Sequence, residues 1–439
     1  MKVEENNKIT VSNKLGLKEL VAMGVGGMVG GGIFSVLGLS VGVAGHAAPI
    51  AFALGGIIAL LTGLSYARLG MVFRSDGGSF TYLEHAFRHE NIAGIGGWLL
   101  LAGYIGTLAL YAYTFGGYGS AMLGNTEHLL IMQHILESGI ILLFLGVNLY
   151  SIKAAGHTED IIVMVKVLIL SLFAIAGIFY IKADYVLPLF NLGGTGVLMG
   201  AALIFVAYEG FELIPNAVNE MEHPEKNLSR GIIISIVVTT LIYILVSLVA
   251  VGNLSSEAIT KYKEYALAVA AKPFLGHAGF LLIGLGALLS TASAINATLF
   301  GTARLGKVMA QERDLPRAFS FRERSRDIPW VSLCIITAVT LVFVNLGNLV
   351  MISSFASASF LLIFASINLA ALRLHKRINI PLSIPLIGFV LSLASWFVLG
   401  GYLWWHDRQS LIWIAVSFVF ISVAEFLFSE RKLLFRKDR

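Results

Sequence analysis

Charge and cysteine are what this chain has least of. Of its 439 residues 13% are Asp, Glu, Lys or Arg, against roughly 25% in soluble domains. The single cysteine, Cys334, sits in an apolar run, so neither an intrachain disulfide nor a cysteine-based metal or redox site can form. No nucleophile–base pair and no metal-ligand cluster stands out. Gly24-Val-Gly26 lacks the full GxGxxG spacing and any strand–helix setting, which excludes a dinucleotide fingerprint. The expectation is no catalytic residue, no metal and no cofactor. A cleaved signal is not expected either, because the first apolar run is too long and too rich in glycine, and neither end carries a lipidation motif.

What is abundant is apolar sequence: 57% of the residues, with a mean hydropathy of +0.83. A crossing helix needs about 20 apolar residues. That length gives twelve runs, at 17–43, 47–70, 92–122, 136–153, 157–182, 196–221, 230–252, 276–308, 329–346, 350–373, 384–404 and 409–428. The fold class is therefore an all-α integral membrane protein with twelve transmembrane helices. The stretches 80–89 and 265–274 read as amphipathic surface helices. The net charge of +5 comes from basic residues at segment ends, which fits the anionic headgroups of a lipid bilayer and not nucleic acid. Placing the N-terminus in the cytoplasm puts Lys182, Lys261, Lys263, Lys272 and Arg408 outside, with all other basic residues except Lys166 inside. The positive-inside rule then expects both termini to be cytoplasmic.

Lys166 is the only basic residue of the run from His157 to Tyr180. Low dielectric disfavours an ammonium without a partner, so such a lysine is a candidate proton-coupling site. Two spans also carry their own interruptions. Gly24 to Phe34 holds six glycines among eleven residues, and each glycine costs about 1 kcal/mol against alanine inside a helix. Phe205 to Glu212 holds Gly210 and two carboxylates ahead of Pro215. Interrupted spans at matching places of two five-helix halves point to a transporter built from inverted repeats. Half-helix N-termini suit a carboxylate and freed carbonyls suit an ammonium, and an amino acid carries both. Gly26 and Gly30 also have the GxxxG spacing of close helix packing, so packing and unwinding remain two readings of the first span.

At these residues the chain resembles the amino acid–polyamine–organocation (APC) family of permeases over nearly its whole length. Gly30-Gly-Gly-Ile-Phe34 is similar to the first-helix signature and Phe205 to Glu212 to the sixth-helix motif. Gly77 to Tyr82 resembles the second inner loop, Glu222 to Arg230 the loop behind the sixth helix, and Met309 to Pro316 the loop after helix eight. The resemblance implies a five-plus-five inverted repeat with broken helices one and six and two C-terminal helices. The segments would be 1–16 as a cytoplasmic N-terminal segment, 17–182 and 196–373 as the repeats, 384–428 as helices eleven and twelve, and 429–439 as a basic tail. It implies secondary transport of amino acids or related amines, by a proton-coupled mechanism.

The same resemblance implies that backbone N–H groups of Gly30, Gly31 and Gly32 receive a substrate carboxylate, while carbonyls of Val206, Ala207 and Glu209 face its amine. Lys166 matches a fifth-helix lysine that stands in for a sodium ion, and would hydrogen-bond first-helix carbonyls near Gly24 and eighth-helix groups near Ser290 or Thr291. Two positions depart from the family pattern: Glu209 is usually aliphatic and Val206 often aromatic. Glu209 then has three readings, as partner of a cationic substrate group, as a second proton site, or as a carboxylate held by backbone. Glu212 is assigned a structural or pH-sensing part. Tyr104 and Asn296 are further pocket candidates, against helix packing for the tyrosine and a helix–helix hydrogen bond for the asparagine. The leading function is a proton-coupled amino acid transporter of the plasma membrane. A cationic amino acid or polyamine exchanger, a nontransporting amino acid sensor and a channel are the alternatives.

Overall fold

The computed structural model describes residues 14–75, 77–87, 90–124, 129–150, 156–312, 315–321 and 328–428. Its elements in chain order are α1 (Leu17–Met28), α2 (Gly32–Ala44), α3 (Ala48–Val72), α4 (Gly78–Ala86), α5 (Glu90–Leu123), α6 (Leu129–Tyr150), α7 (Gly156–Gly177), α8 (Ala183–Val186), α9 (Gly193–Leu203), α10 (Pro224–Asn253), α11 (Ser256–Lys261), α12 (Ala266–Gln311), α13 (Trp330–Leu346), α14 (Leu349–Arg373), α15 (His375–Ile378), α16 (Ser383–His406) and α17 (Arg408–Phe428). Among the described residues no strand forms beyond an isolated bridge between Leu15 and Met221. Helices satisfy their own backbone groups, which is the condition for residing in lipid.

Nine described helices are long and apolar enough to cross a membrane, or ten if one bent pair counts as a single span. The twelve expected runs exceed that number at two places. The run 17–43 is split at Val29–Gly31 into α1 and α2, and each half alone is too short. The ninth run, α13, has 17 residues. The fourth run begins at Leu129 and not at 136, because Gln133, His134 and Glu137 bond to one another along the helix. Gln133 Nε2 donates to Glu137 Oε1 at 2.8 Å, and His134 Nδ1 lies 3.2 Å from Oε2. Stretch 265–274 is the opening of α12, which bends at Gly276 (φ 62°). Of the surface stretch 80–89, the described part is α4. His89, most of the N-terminal segment and the basic tail lie outside the described residues.

The packing puts the two interrupted regions at the centre. α10 packs on α1, α3 and α7, α5 packs on α12 and α14, and α2 packs on α9. Outward faces stay apolar, with Leu143, Met164, Phe397 and Phe420 more than half exposed, as lipid contact requires. α10 starts cleanly because Pro224 occupies its first turn, where no amide donor is needed. Asn348 caps α14 by accepting from the Met351 N–H at 2.9 Å.

Candidate functional site

The first break lies between Met28 and Gly32, and the second runs from Ile204 to Gly210. There α9 ends, a short 3-10 turn (Phe205–Tyr208) follows, and Glu209 is extended. Gly210 adopts φ 127°, a region that only glycine enters at low cost. α9 and the segment Phe205–Glu220 that follows it are bent by 53° to one another. At the crossing the backbones touch: a Cβ on Gly27 would sit 3.0 Å from Gly210 Cα, and a Cβ on Gly210 would sit 2.6 Å from Met28 N.

Ending α1 early frees carbonyls that buried backbone cannot leave unpaired, and three other helices supply donors. Lys166 Nζ of α7 donates to Gly26 O at 2.6 Å. The Tyr243 hydroxyl of α10 reaches Met28 O at 2.5 Å and Ala207 O at 3.0 Å. Ser290 Oγ of α12 donates to Val29 O at 2.6 Å and also approaches Gly30 O. Gly27 O accepts from the Gly30 N–H at 3.1 Å, and Gly31 O from the Ser35 N–H at 2.9 Å. The first-helix partner of Lys166 is Gly26 O, two residues on from Gly24, because the last helical carbonyls are those left without an i+4 amide.

The second break is tied in the same way. Ser357 of α14 donates to Leu203 O at 2.9 Å and accepts from the Val206 N–H at 3.0 Å. Val206 O accepts from the Glu209 N–H at 3.1 Å. The carbonyls of Val206 and Ala207, assigned from sequence to a substrate amine, therefore already accept one bond each.

Two buried carboxylates flank Gly210. Glu209 is 4% and Glu212 2% exposed. Thr107 of α5 bonds to Glu209 Oε2. Glu212 accepts from the Gly210 N–H at 2.7 Å and, at 3.5 Å, from Tyr104 of α5. Tyr104 also packs edge-on against Phe360. Glu209 and Tyr104 thus belong to one polar cluster with Glu212, whose carboxylate is held in part by the adjacent backbone.

Gly30, Gly31 and Gly32 line the first break under close cover. A Cβ on Gly30 would lie 2.8 Å from Ala294 Cβ, one on Gly31 would enter the Tyr111 ring, and one on Gly32 would lie 2.6 Å from the Tyr243 hydroxyl. The Tyr111 hydroxyl stands over the same turn, 3.3 Å from a Cβ placed on Gly30. Asn296 is not part of this cluster. Its Oδ1 accepts from Asn148 Nδ2 of α6 at 2.8 Å, a bond between neighbouring helices. Tyr243, Ser290 and Ser357 are the residues whose roles the sequence left unread or only half read. Tyr243 and Ser357 carried one available signal, as polar groups inside apolar runs.

An open groove of about 490 Å³ lies outside the breaks, lined by Val21, Val25, Val163, Val167 and Val238 with Lys18 at its edge. It is too apolar to receive a zwitterion. Among the described residues no group of His, Cys, Asp or Glu is placed to hold a metal ion.

Comparison with known proteins agrees with this architecture. The profile of a family described as amino acid permease matches residues 15–429. The inner membrane transport protein YbaT of Escherichia coli is 33% identical over 98% of this chain and 99% of its own length. The methylthioribose transporter of Bacillus subtilis is 27% identical over 98% and 96%. The branched-chain amino acid permease BcaP of the same bacterium is 25% identical over 93% and 92%. These are membrane transport proteins and not enzymes, and the match spans both breaks and every apolar helix between them. The chain belongs to the amino acid permease family and is a multi-pass membrane protein.

Proposed function

We propose that this protein is a secondary active transporter that moves amino acids across the plasma membrane by alternating access, with protons as the coupling ion. The observation that carries the reading is the meeting of two interrupted helices, whose backbone groups outside regular helical pairing lie beside Gly31 and Glu209. A half-helix N-terminus offers donors and a positive dipole end to a carboxylate, and the C-terminal carbonyls opposite offer acceptors to an ammonium. In this reading residues 17–182 and 196–373 are the two repeats, twelve segments cross the membrane, and both termini face the cytoplasm. Gly31 and its neighbours take the carboxylate once Tyr111 has swung aside.

Lys166 supplies the coupling. Its bond to Gly26 O joins α7 to the end of α1, and an ammonium donates that bond more strongly than an amine does. Proton loss weakens the tie and releases α1. The family's members support amino acids as the substrate class, while the methylthioribose transporter shows that relatives also carry other polar solutes.

Purified protein in liposomes, preloaded with each of the twenty standard amino acids in turn, tests the reading. Saturable counterflow of the matching labelled amino acid is expected, with accumulation driven by an acidic exterior and no need for sodium. Absence of counterflow with every amino acid refutes it. Binding without flux would assign the protein to sensing.

A further inference from the structure

Glu209 and Glu212 form a carboxylate pair without a basic counter-ion. The ion pairs His134–Glu137 and His223–Glu225 lie elsewhere, and the described contacts of Glu209 and Glu212 are to Thr107, Tyr104 and the Gly210 N–H. The described side chains that bond to the pair are neutral. α5 brings Tyr104 and Thr107, which bond to the pair, and α3 brings Tyr66, whose ring packs on Phe211 between the two glutamates in sequence; around the same break stand the uncharged Tyr243 of α10, bonded to Ala207 O, and Ser357 of α14, bonded to Val206 N–H. Lys166 of α7 is directed at Gly26 O. The two carboxylates stand three residues apart and both bond to α5, at Tyr104 and Thr107, which lie about one turn apart, and two like charges in a buried site cannot both persist without compensation.

The hydrogen bonds indicate where compensation comes from. Thr107 has one hydroxyl hydrogen and two short contacts, to Gly103 O at 3.1 Å and to Glu209 Oε2. Neither contact has to share that hydrogen if the hydroxyl donates to Gly103 O and its oxygen accepts from a Glu209 carboxyl that carries a hydrogen. Glu212 receives donors instead, from the Gly210 N–H and from Tyr104, and donors favour the ionised form. The two neighbours are thus set up differently, one to hold a proton and one to hold a charge.

We propose that the Glu209–Glu212 pair holds one proton, on Glu209, in the empty protein, and exchanges it for the second cationic group of a substrate such as lysine, arginine or a diamine. This rests on the transport reading above. The balance is simple. The Glu209 O–H releases H⁺ to solvent, and the substrate's side-chain ammonium donates to the carboxylate left behind, so the net charge within the site is unchanged. Glu209 thereby selects the side chain, while the helix breaks select the amino acid head.

The test uses L-lysine and L-norleucine, its uncharged analogue without the terminal ammonium, titrated calorimetrically into purified full-length protein in two buffers of different ionisation enthalpy. Lysine binding should release about one proton per molecule, norleucine none, and lysine should bind at least about tenfold more tightly. In Glu209→Gln the lysine-linked proton release should vanish and the preference for lysine over norleucine should collapse. Lysine binding without proton release, or an unchanged preference in Glu209→Gln, overturns the proposal. Should that variant fail to fold, the proton count in the unmodified protein still decides. Norleucine binding with lysine excluded would overturn this inference and leave the transport reading standing. Lack of binding by either, together with lack of counterflow for all twenty amino acids, would remove both.

Discussion

Replacing Tyr243 with phenylalanine removes one oxygen from the point where the two interrupted helices are joined. The ring should stay in place, because it is held edge-on by Phe52 at 5.5 Å and Tyr208 at 5.4 Å. What changes is the hydrogen bonding: Met28 O and Ala207 O lose a shared donor in a site that is wholly buried. Leaving a buried acceptor unsatisfied costs about 1–3 kcal/mol. One hydroxyl hydrogen serves both carbonyls, so the penalty belongs at the lower end for each. Since each 1.4 kcal/mol is tenfold, an apparent substrate affinity weaker by about tenfold is expected if the closed, substrate-holding arrangement depends on this bond. Counterflow in liposomes gives KM and maximal rate separately, and thermal unfolding of the detergent-purified protein reports the fold. The expected pattern is a raised KM with the unfolding temperature little changed. Tyr243→Ala should instead unfold much earlier, because losing the whole ring costs about 3–5 kcal/mol of core packing. A Tyr243→Phe variant with unaltered KM would show that the bond holds nothing that transport uses.

Three further outcomes follow from the same geometry. Lys166→Ala should leave a folded protein that no longer accumulates substrate against its gradient when the exterior is acidified, though counterflow persists; intact pH-driven accumulation or a sodium requirement in the unmodified protein would contradict the assigned coupling. Gly31→Val should abolish amino acid binding in thermal-shift measurements, because its side chain meets the Tyr111 ring, 2.7 Å from Cε1 to the first added carbon; unchanged shifts would remove the first break from the site. In a Cys334→Ser background, cysteines placed at Lys14 and Leu123, both exposed, should be labelled by an impermeant maleimide from opposite sides of intact cells, and same-side labelling would contradict the proposed topology.

Helix positions were legible because hydropathy acts over some twenty residues, and one polar residue barely alters the sum. The boundary error at α6 arose where Gln133 and Glu137 satisfy each other inside the bundle, something no single-residue scale records. A glycine cluster marked the first break and the single Gly210 the second, since glycine's backbone freedom is a local property. Asn296 was readable only as an alternative, because the asparagine that bonds it, Asn148, lies on another helix. Tyr243 and Ser357 were illegible for a related reason. Their importance lies in carbonyls that become free elsewhere in the chain, and nothing near either residue in sequence shows which carbonyls those are.

The bare contact between Gly27 and Gly210 bears on speed. Interlocked side chains must change rotamer before two helices can slide, but here backbone rests on backbone, as between smooth bearing surfaces. The friction of any relative movement is then set by a few exchangeable polar latches, Lys166, Tyr243 and Ser290. Tyr243 and Ser290 each reach two carbonyls and can hand a hydrogen from one to the other, so in the proposed transport cycle turnover would be tuned by these donors while the surrounding core stays as rigid as any other.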